Sequence, residues 1–554
     1  MINNRKDNTN LNKFSELYEC ARLAYEETLE GFERNLQQYR GSTAIDGGLE
    51  NASAVRNITY ELIESAISAE IPYAKVEAES YSDRGEALSG AVERLLYTTR
   101  ERLPLDEIND SDERCTYIFG GSLLFVEWVK DDEGADGDVR LRQISPRDFI
   151  PEPGITRLED MSYFFLRFTT NKGELRSKYH IKDEELDLLD LGFRWGEAAS
   201  MDDTVNVIFA FYRGEDGRVG RFVFSGDLAL SDEPDYYGAY LEDADGGRYI
   251  SDYENICLQN PDNSEKTVKV RRYRPKAFPI VLRRNISSEG DLFGASDADI
   301  LRPTQQAINK IESRIMQKLL RSAVTPIMPE DASVSLSNAI FGQVIKIKAG
   351  ESASQYGTVD TTPDISQDIA EADRLYDQAK RLIGISDAYQ GIDLNKVESG
   401  YAKSLRIRQA EGRLESKRRM KNIAYEELYK LIFQHYLAFS KNSRSLIYKD
   451  GFGEIRDHRF DKRDFIEMDE AGEYYYFDKL VFSIDTDLFE EYQREALWER
   501  NLENLRSGTL GNPENSKTLL RYWQFQQKAH YPNAKENVEY FKKIVENERC
   551  KNDG

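Results

Sequence analysis

An α+β fold is predicted by three features of this 554-residue sequence. They are helical periodicity in the first hundred residues, strand hairpins between 122 and 290, and long amphipathic helices beyond. Residues 13–40 and 50–69 space their apolar positions as helices do, and Ile71-Pro72 closes the second segment because the residue before proline is pushed out of the α region. A third helix is expected over 84–103, ending at Pro104. SLLFVEWVK from Ser122, an acidic turn and VRLRQI predict one hairpin; VNVIFAFYR, a GEDG turn and RVGRFVF predict another. Tyr117 to Val129 is the most apolar stretch, but Gly120, Gly121, Ser122 and Glu127 keep it far short of the roughly 20 apolar residues of a membrane helix. It is expected to be a buried strand region. KTVKVRRYRP and FPIVLRR extend the strand pattern towards residue 290.

After residue 290 the period changes. From Asp297 to Ala323, Leu301, Thr304, Ile308, Ile311, Ile315 and Leu319 form one apolar stripe, and Lys310, Arg314, Lys318 and Arg321 form a basic stripe about a quarter turn away. At a rise of 1.5 Å per residue this helix is roughly 40 Å long. Pro326 and Pro329 stop it, and Ala339 to Lys348 predicts a strand pair. Thr362-Pro363-Asp364 signals a new helix, with a hydroxyl N-cap and proline at the first position. Ile365, Ile369, Ala372, Tyr376, Ala379 and Ile383 then make a narrow heptad seam. Asp364, Asp368 and Glu371 stand near the start of that helix and Lys380 and Arg381 near its end, as the helix dipole favours.

Gly384 to Ser399 is a predicted loop, and a helix follows from Gly400 to Phe439. Its first half, Tyr401 to Lys421, holds eight basic residues against Glu411 and Glu415, a local charge of +6. Residues 441–485 return to strands, and helices are expected over 488–506, 515–530 and 534–547.

Composition limits the chemistry. The length allows about three to five domains. With 99 Asp plus Glu against 75 Lys plus Arg, the formal charge is −24, so the average field repels nucleic acid and anionic membrane alike. Cys20, Cys115, Cys257 and Cys550 form no CxxC pair, so neither a disulfide framework nor a zinc knuckle is expected, and the folding compartment is read as reducing. The polar start, Met1 to Asn12, lacks the apolar core of a signal peptide. There is no GxxxxGK[ST] phosphate loop and no GxSxG elbow, and His180, His435, His458 and His530 form no metal-binding pair. DDEGADGD, Asp131 to Asp138, resembles a calcium loop, but counting from Asp132 puts Gly134 third and Gln143 twelfth, where a ligand and a bidentate Glu belong. No cofactor or metal is expected. Asp485 and Asp487 form a DxD pair that suggests an alternative, a metal-dependent nuclease.

The order of elements resembles the portal proteins of tailed bacteriophages. The likeness is carried by GDLFGASDADILRPTQQAINKIESRIMQ (Gly290 to Gln317), FGQVIKIKAG (Phe341 to Gly350), and GISDAYQG with SGYAKSLRIRQAEGRLESK (Gly384 to Lys417). QISPRDFIPEPG (Gln143 to Gly154) and Glu50 to Pro72 also fit. The resemblance implies a portal-type α+β fold assembled as a ring of about twelve subunits at one capsid vertex. In that scheme residues 1–290 and 441–487 form the wing, 291–323 and 364–385 the two stem helices, and 324–363 the clip. Residues 386–398 would be the tunnel loop, 399–440 the long wing helix and 488–554 the helical crown. About twelve helices side by side at roughly 10 Å give a diameter between axes of about 38 Å, wide enough for duplex DNA.

The implied function is non-enzymatic: a channel for DNA packaging and ejection, assembled in the host cytoplasm and resident in the virion. Implied partners are double-stranded DNA held weakly, the terminase large subunit, the major capsid and scaffolding proteins, and a head-tail adaptor; no membrane is involved. A capsid or adaptor protein of different symmetry is the other structural alternative. Candidate residues are Ser386, Asp387, Tyr389, Gln390, Asp393, Asn395 and Lys396 in the loop, and Asp364, Asp368 and Glu371 facing the lumen. Lys310, Arg314, Lys318, Arg321, Arg406, Arg413 and Lys417 are expected to pair across subunit boundaries.

Overall fold

The computed structural model describes residues 4–41, 56–79, 83–129, 137–190, 204–238, 240–242, 248–259, 265–321, 327–329, 345–347, 363–385, 412–449, 455–484, 491–528, 531 and 534–552. They form a mixed α+β structure whose largest sheet is an antiparallel meander. It runs Phe149–Pro151, Tyr163–Asn171, Thr204–Arg213, Val219–Ser225 and Leu228–Glu233, each strand paired with the next. Successive side chains point to opposite faces. Phe164, Leu166, Val207, Phe209, Phe211 and Val223 therefore enter one core, while Phe165, Ile208, Ala210, Phe222 and Phe224 enter another. A sheet apolar on both sides needs two covers.

The second cover is helix α1 (Asn4–Ala24), which lays Leu11, Phe14 and Ala21 on the outer face. Helix α2 (Glu26–Tyr39) turns Phe32 and Leu36 into the main core instead. The single helical segment expected over 13–40 is thus two helices that break at Tyr25, because they serve different faces. Helix α3 (Ile58–Ala66) follows, with Asn57 accepting the Tyr60 amide at 3.0 Å as its N-cap. Helix α4 is Asp83–Arg102.

Helix α5 (Leu105–Phe119) corrects the expected strand region, which begins only at Gly121. Its sequence, LDEINDSDERCTYIF, resembles a solvated face, yet Asn109, Asp112 and Glu113 are buried. Helix α6 (Lys172–Tyr179), capped by Asn171, was not anticipated.

Both predicted hairpins form. Gly121–Val129 pairs with Asp138–Ile144 on one side and Ile280–Arg284 on the other. The strands after residue 440 return to the first half of the chain: Leu480–Ile484 pairs with Ala74–Ala78, and Tyr474–Tyr476 joins Glu265–Arg271 in parallel. Helix α7 (Asp297–Arg321) and helix α8 (Ser366–Ile383) pack on each other. The strand pair expected within 339–348 is instead Ile345–Ile347 in parallel with Ile327–Pro329. Helix α9 (Gly412–Phe439) has apolar residues all around its second half, which is the signature of a buried helix. Tyr425, Leu428, Ile432, Phe433, Tyr436 and Leu437 join Leu124, Val126, Val281, Phe460 and Phe482 in one cluster. Helices α10 (Glu491–Arg506), α11 (Ser516–Lys528) and α12 (Ala534–Asn552) complete the described chain.

His435 on α9 is fully buried among Tyr236, Tyr237 and Phe439, and its Nδ1 lies 2.8 Å from the Leu431 carbonyl oxygen. Burial pushes the imidazole down to about 4, against the backbone hydrogen bonds that favour its charge. The unfolded chain therefore binds a proton between about pH 6.5 and 4 that the folded chain refuses, so this residue costs stability as pH falls through that window. Denaturant titration is expected to show about 2 kcal/mol less stability from this group at pH 5 than at pH 7. His435→Phe should remove that part of the slope.

Candidate functional site at the base of the long helical pair

The α7–α8 pair is buried at one end and open at the other. Leu301 and Ile308 are fully buried, whereas Met316 and Leu319 are 41% and 47% exposed. On α8, Ala372, Ala379 and Ile383 are buried while Ile369 is 44% exposed. Between the helices sits Asp368, buried, with Lys318 donating to one carboxylate oxygen and Arg314 to the other at 3.4 Å. Asp364 is exposed and holds the Ser366 amide at 2.9 Å, and the helix starts at Ser366, three residues later than the Thr362 cap predicts. The Ser366 hydroxyl and amide keep the Asp364 carboxyl below the usual carboxylate range. Glu371 is clamped by Arg374 at 2.6 and 2.7 Å, which likewise lowers its carboxyl.

At the buried end, α7 is anchored through its first turn. Ser296 donates its hydroxyl to the Ile118 carbonyl at 2.7 Å and lies 3.3 Å from the Asp299 amide. Gln305 accepts from the Thr59 amide at 3.0 Å and donates to the Arg56 carbonyl at 2.7 Å. Gln38 donates to the Ala298 carbonyl and to the Thr59 hydroxyl, both at 2.9 Å. This first-half network of Gln, Asn and hydroxyl residues fixes α7 against α2 and α3.

Backbone contact supports the same junction. Gly120 ends α5 in the left-handed region at φ 84°, and its carbonyl accepts the amides of Asn285 and Gly294, each at 2.9 Å. A Cβ at Gly120 would stand 2.0 Å from the Gly294 oxygen. Only glycine fits both conditions.

Beneath the junction lies a buried charge cluster. Arg283 donates to Asp112 and, at 2.8 Å, to Glu113; Lys421 reaches Glu113 at 2.8 Å. All four groups are at most 5% exposed. Burial raises the Glu113 carboxyl, but Arg283 and Lys421 outweigh it and the net direction is down. Burial lowers Lys421, with Glu113 opposing. One turn before Lys421, Lys417 donates to Asp297 at 2.6 Å, and the same carboxylate oxygen accepts from Asn285 at 3.0 Å. The two lysines hold α9 to α5 and to the first residue of α7.

The expected site residues therefore separate. Within the chain Asp368 meets Lys318 and Arg314, and Lys417 meets Asp297. Lys310 is exposed, and Arg314 remains 61% exposed despite its contact. Ser386, Asp387, Tyr389, Gln390, Asp393, Asn395, Lys396, Arg406, Asp485, Asp487 and the side chains of Arg321 and Arg413 lie outside the described residues. Among the described residues no group of three or more His, Cys, Asp or Glu could hold a metal, and no helix is long and apolar enough to cross a membrane. Cys20, Cys115 and Cys257 are free thiols. Arg283, Asp112, Glu113 and Lys421 were not singled out from sequence; the lone signal was a carboxylate-rich helix, 105–119, ending in an apolar run. No protein-family model matches the chain, and no curated protein matches it either.

Proposed function

We propose that this chain is a portal-type subunit of a ring that conducts double-stranded DNA through one vertex of a phage capsid. The observation that carries the reading is the graded burial of the α7–α8 pair, from fully buried at Leu301 to 47% exposed at Leu319. An apolar seam left open at one end, beside exposed Lys310 and Arg314, suits lateral packing against a second copy. The sequence order supports the same reading, with a loop between two long helices and a buried helix behind it. The −24 charge suits a conduit, because every neutralised phosphate adds affinity that would slow sliding.

In this role the protein is non-enzymatic and works in the virion. It receives DNA from the terminase large subunit, sits among the major capsid and scaffolding proteins, and later docks a head-tail adaptor. Negative-stain imaging of the purified chain should show rings with a central hole. Monomers or closed shells overturn the proposal. Arg314→Glu should reduce ring formation at low salt, where exposed pairs are least screened. Unchanged assembly would remove Arg314 from the subunit boundary.

A further inference from the structure

Helix α11 departs from the rest of the chain in charge. It carries Lys517, Arg521 and Lys528 and no carboxylate, inside a chain of −24. Thr518, Tyr522 and Gln526 are buried, which leaves Lys517, Arg521, Gln524 and Phe525 exposed. At 3.6 residues per turn these four fall within one arc of about 100°. Elsewhere the helical arginines Arg22, Arg34, Arg114 and Arg374 pair with a carboxylate three or four residues away. Among the described residues Lys517 and Arg521 have no ion-pair partner.

We propose that this face of α11 docks the sugar–phosphate backbone of duplex DNA. Lys517 and Arg521 stand one turn apart, roughly 6 Å along the axis, each free to neutralise a phosphate. Gln524 adds an amide donor for a phosphate oxygen, and Phe525, 45% exposed, offers an apolar surface to a deoxyribose. Charge complementarity selects the occupant. Helix α11 carries no carboxylate to neutralise its own cations, and a duplex brings one negative charge per ~1.7 Å of axis. The surface itself stands on the geometry of α11; the choice of duplex DNA rests on the conduit reading. Tight binding along the channel would stall DNA, but a small basic face on the terminal helices tethers it locally without coating the path.

The test uses the full-length protein and a fluorescently labelled duplex of about thirty base pairs, with affinity measured by anisotropy across a salt series. Lys517→Gln combined with Arg521→Gln leaves the fold intact because both side chains are exposed, which circular dichroism checks. The variant should bind about tenfold more weakly at low salt, and the slope of log affinity against log salt should fall by about 2. Absence of DNA binding by the unsubstituted protein, or an unchanged slope, overturns the proposal. Loss of rings with DNA affinity intact also overturns it, because the face is then a subunit contact. Should neither protein form rings while the slope difference persists, the DNA surface stands and the conduit reading falls.

Discussion

Arg283→Met is expected to lower the unfolding free energy by about 3–5 kcal/mol, read as a shift of the urea midpoint. The side chain is 3% exposed and bridges Asp112 and Glu113, which are 0% and 1% exposed. Removing it leaves two buried carboxylates with Lys421 as their remaining cation. Desolvation then acts against both charges without the guanidinium that offset it. The loss should be specific to the broken pairing. Arg283→Met combined with Asp112→Asn and Glu113→Gln should recover much of the stability, since replacing every partner is far less costly than orphaning some of them. A single-variant loss below about 1 kcal/mol would show that the cluster is not holding α5 to the sheet.

The pH response of the cluster follows from Glu113. Its carboxyl is lowered, so its stabilising contribution is present above the unfolded value of 4.5 and is lost as pH falls through the lower folded value. That window lies below the one in which His435 acts. Two acid steps are therefore expected in a pH titration of stability, and His435→Phe should flatten only the upper one.

Gly120→Ala should destabilise by about 3 kcal/mol or more, seen as a lowered thermal midpoint. Part of the loss is conformational, because φ 84° is strained for any residue with a Cβ. The larger part is steric, because the new methyl would meet the Gly294 carbonyl at 2.0 Å and backbone cannot swing aside as a side chain does. Gly154 separates the two contributions. It has φ 80° but nothing within 4 Å of the place a methyl would occupy, so Gly154→Ala should cost only about 1 kcal/mol. Equal losses at the two glycines would mean that the α5–α7 contact does not matter.

Much of the element structure was legible locally. The two hairpins showed alternating apolar residues around Gly-containing or acidic turns, and α8 showed its seam over five helical turns. The α7 stripe was also legible, but its outer end, Ile315 and Leu319, is more exposed than the periodicity implies. Helix α5 was obscured because its buried face carries Asn109, Asp112 and Glu113, which ordinarily mark a solvated surface. The basic run from Tyr401 to Lys421 was legible as charge and not as location: Lys417 and Lys421 sit in the interior, neutralising Asp297 and Glu113.

Those outcomes share one physical basis. Helix and strand periods repeat within ten residues, so the sequence by itself determined an α+β chain, the apolar stripes of α7 and α8 and the absence of a recognisable reaction motif. The state of a charge depends on what lies within a few ångströms after folding. Arg283 meets Asp112 across 171 positions, and Lys417 meets Asp297 across 120. Only the tertiary structure decided which of the many carboxylates stay in water and which are internal, because burial makes a charge costly until a distant partner compensates it.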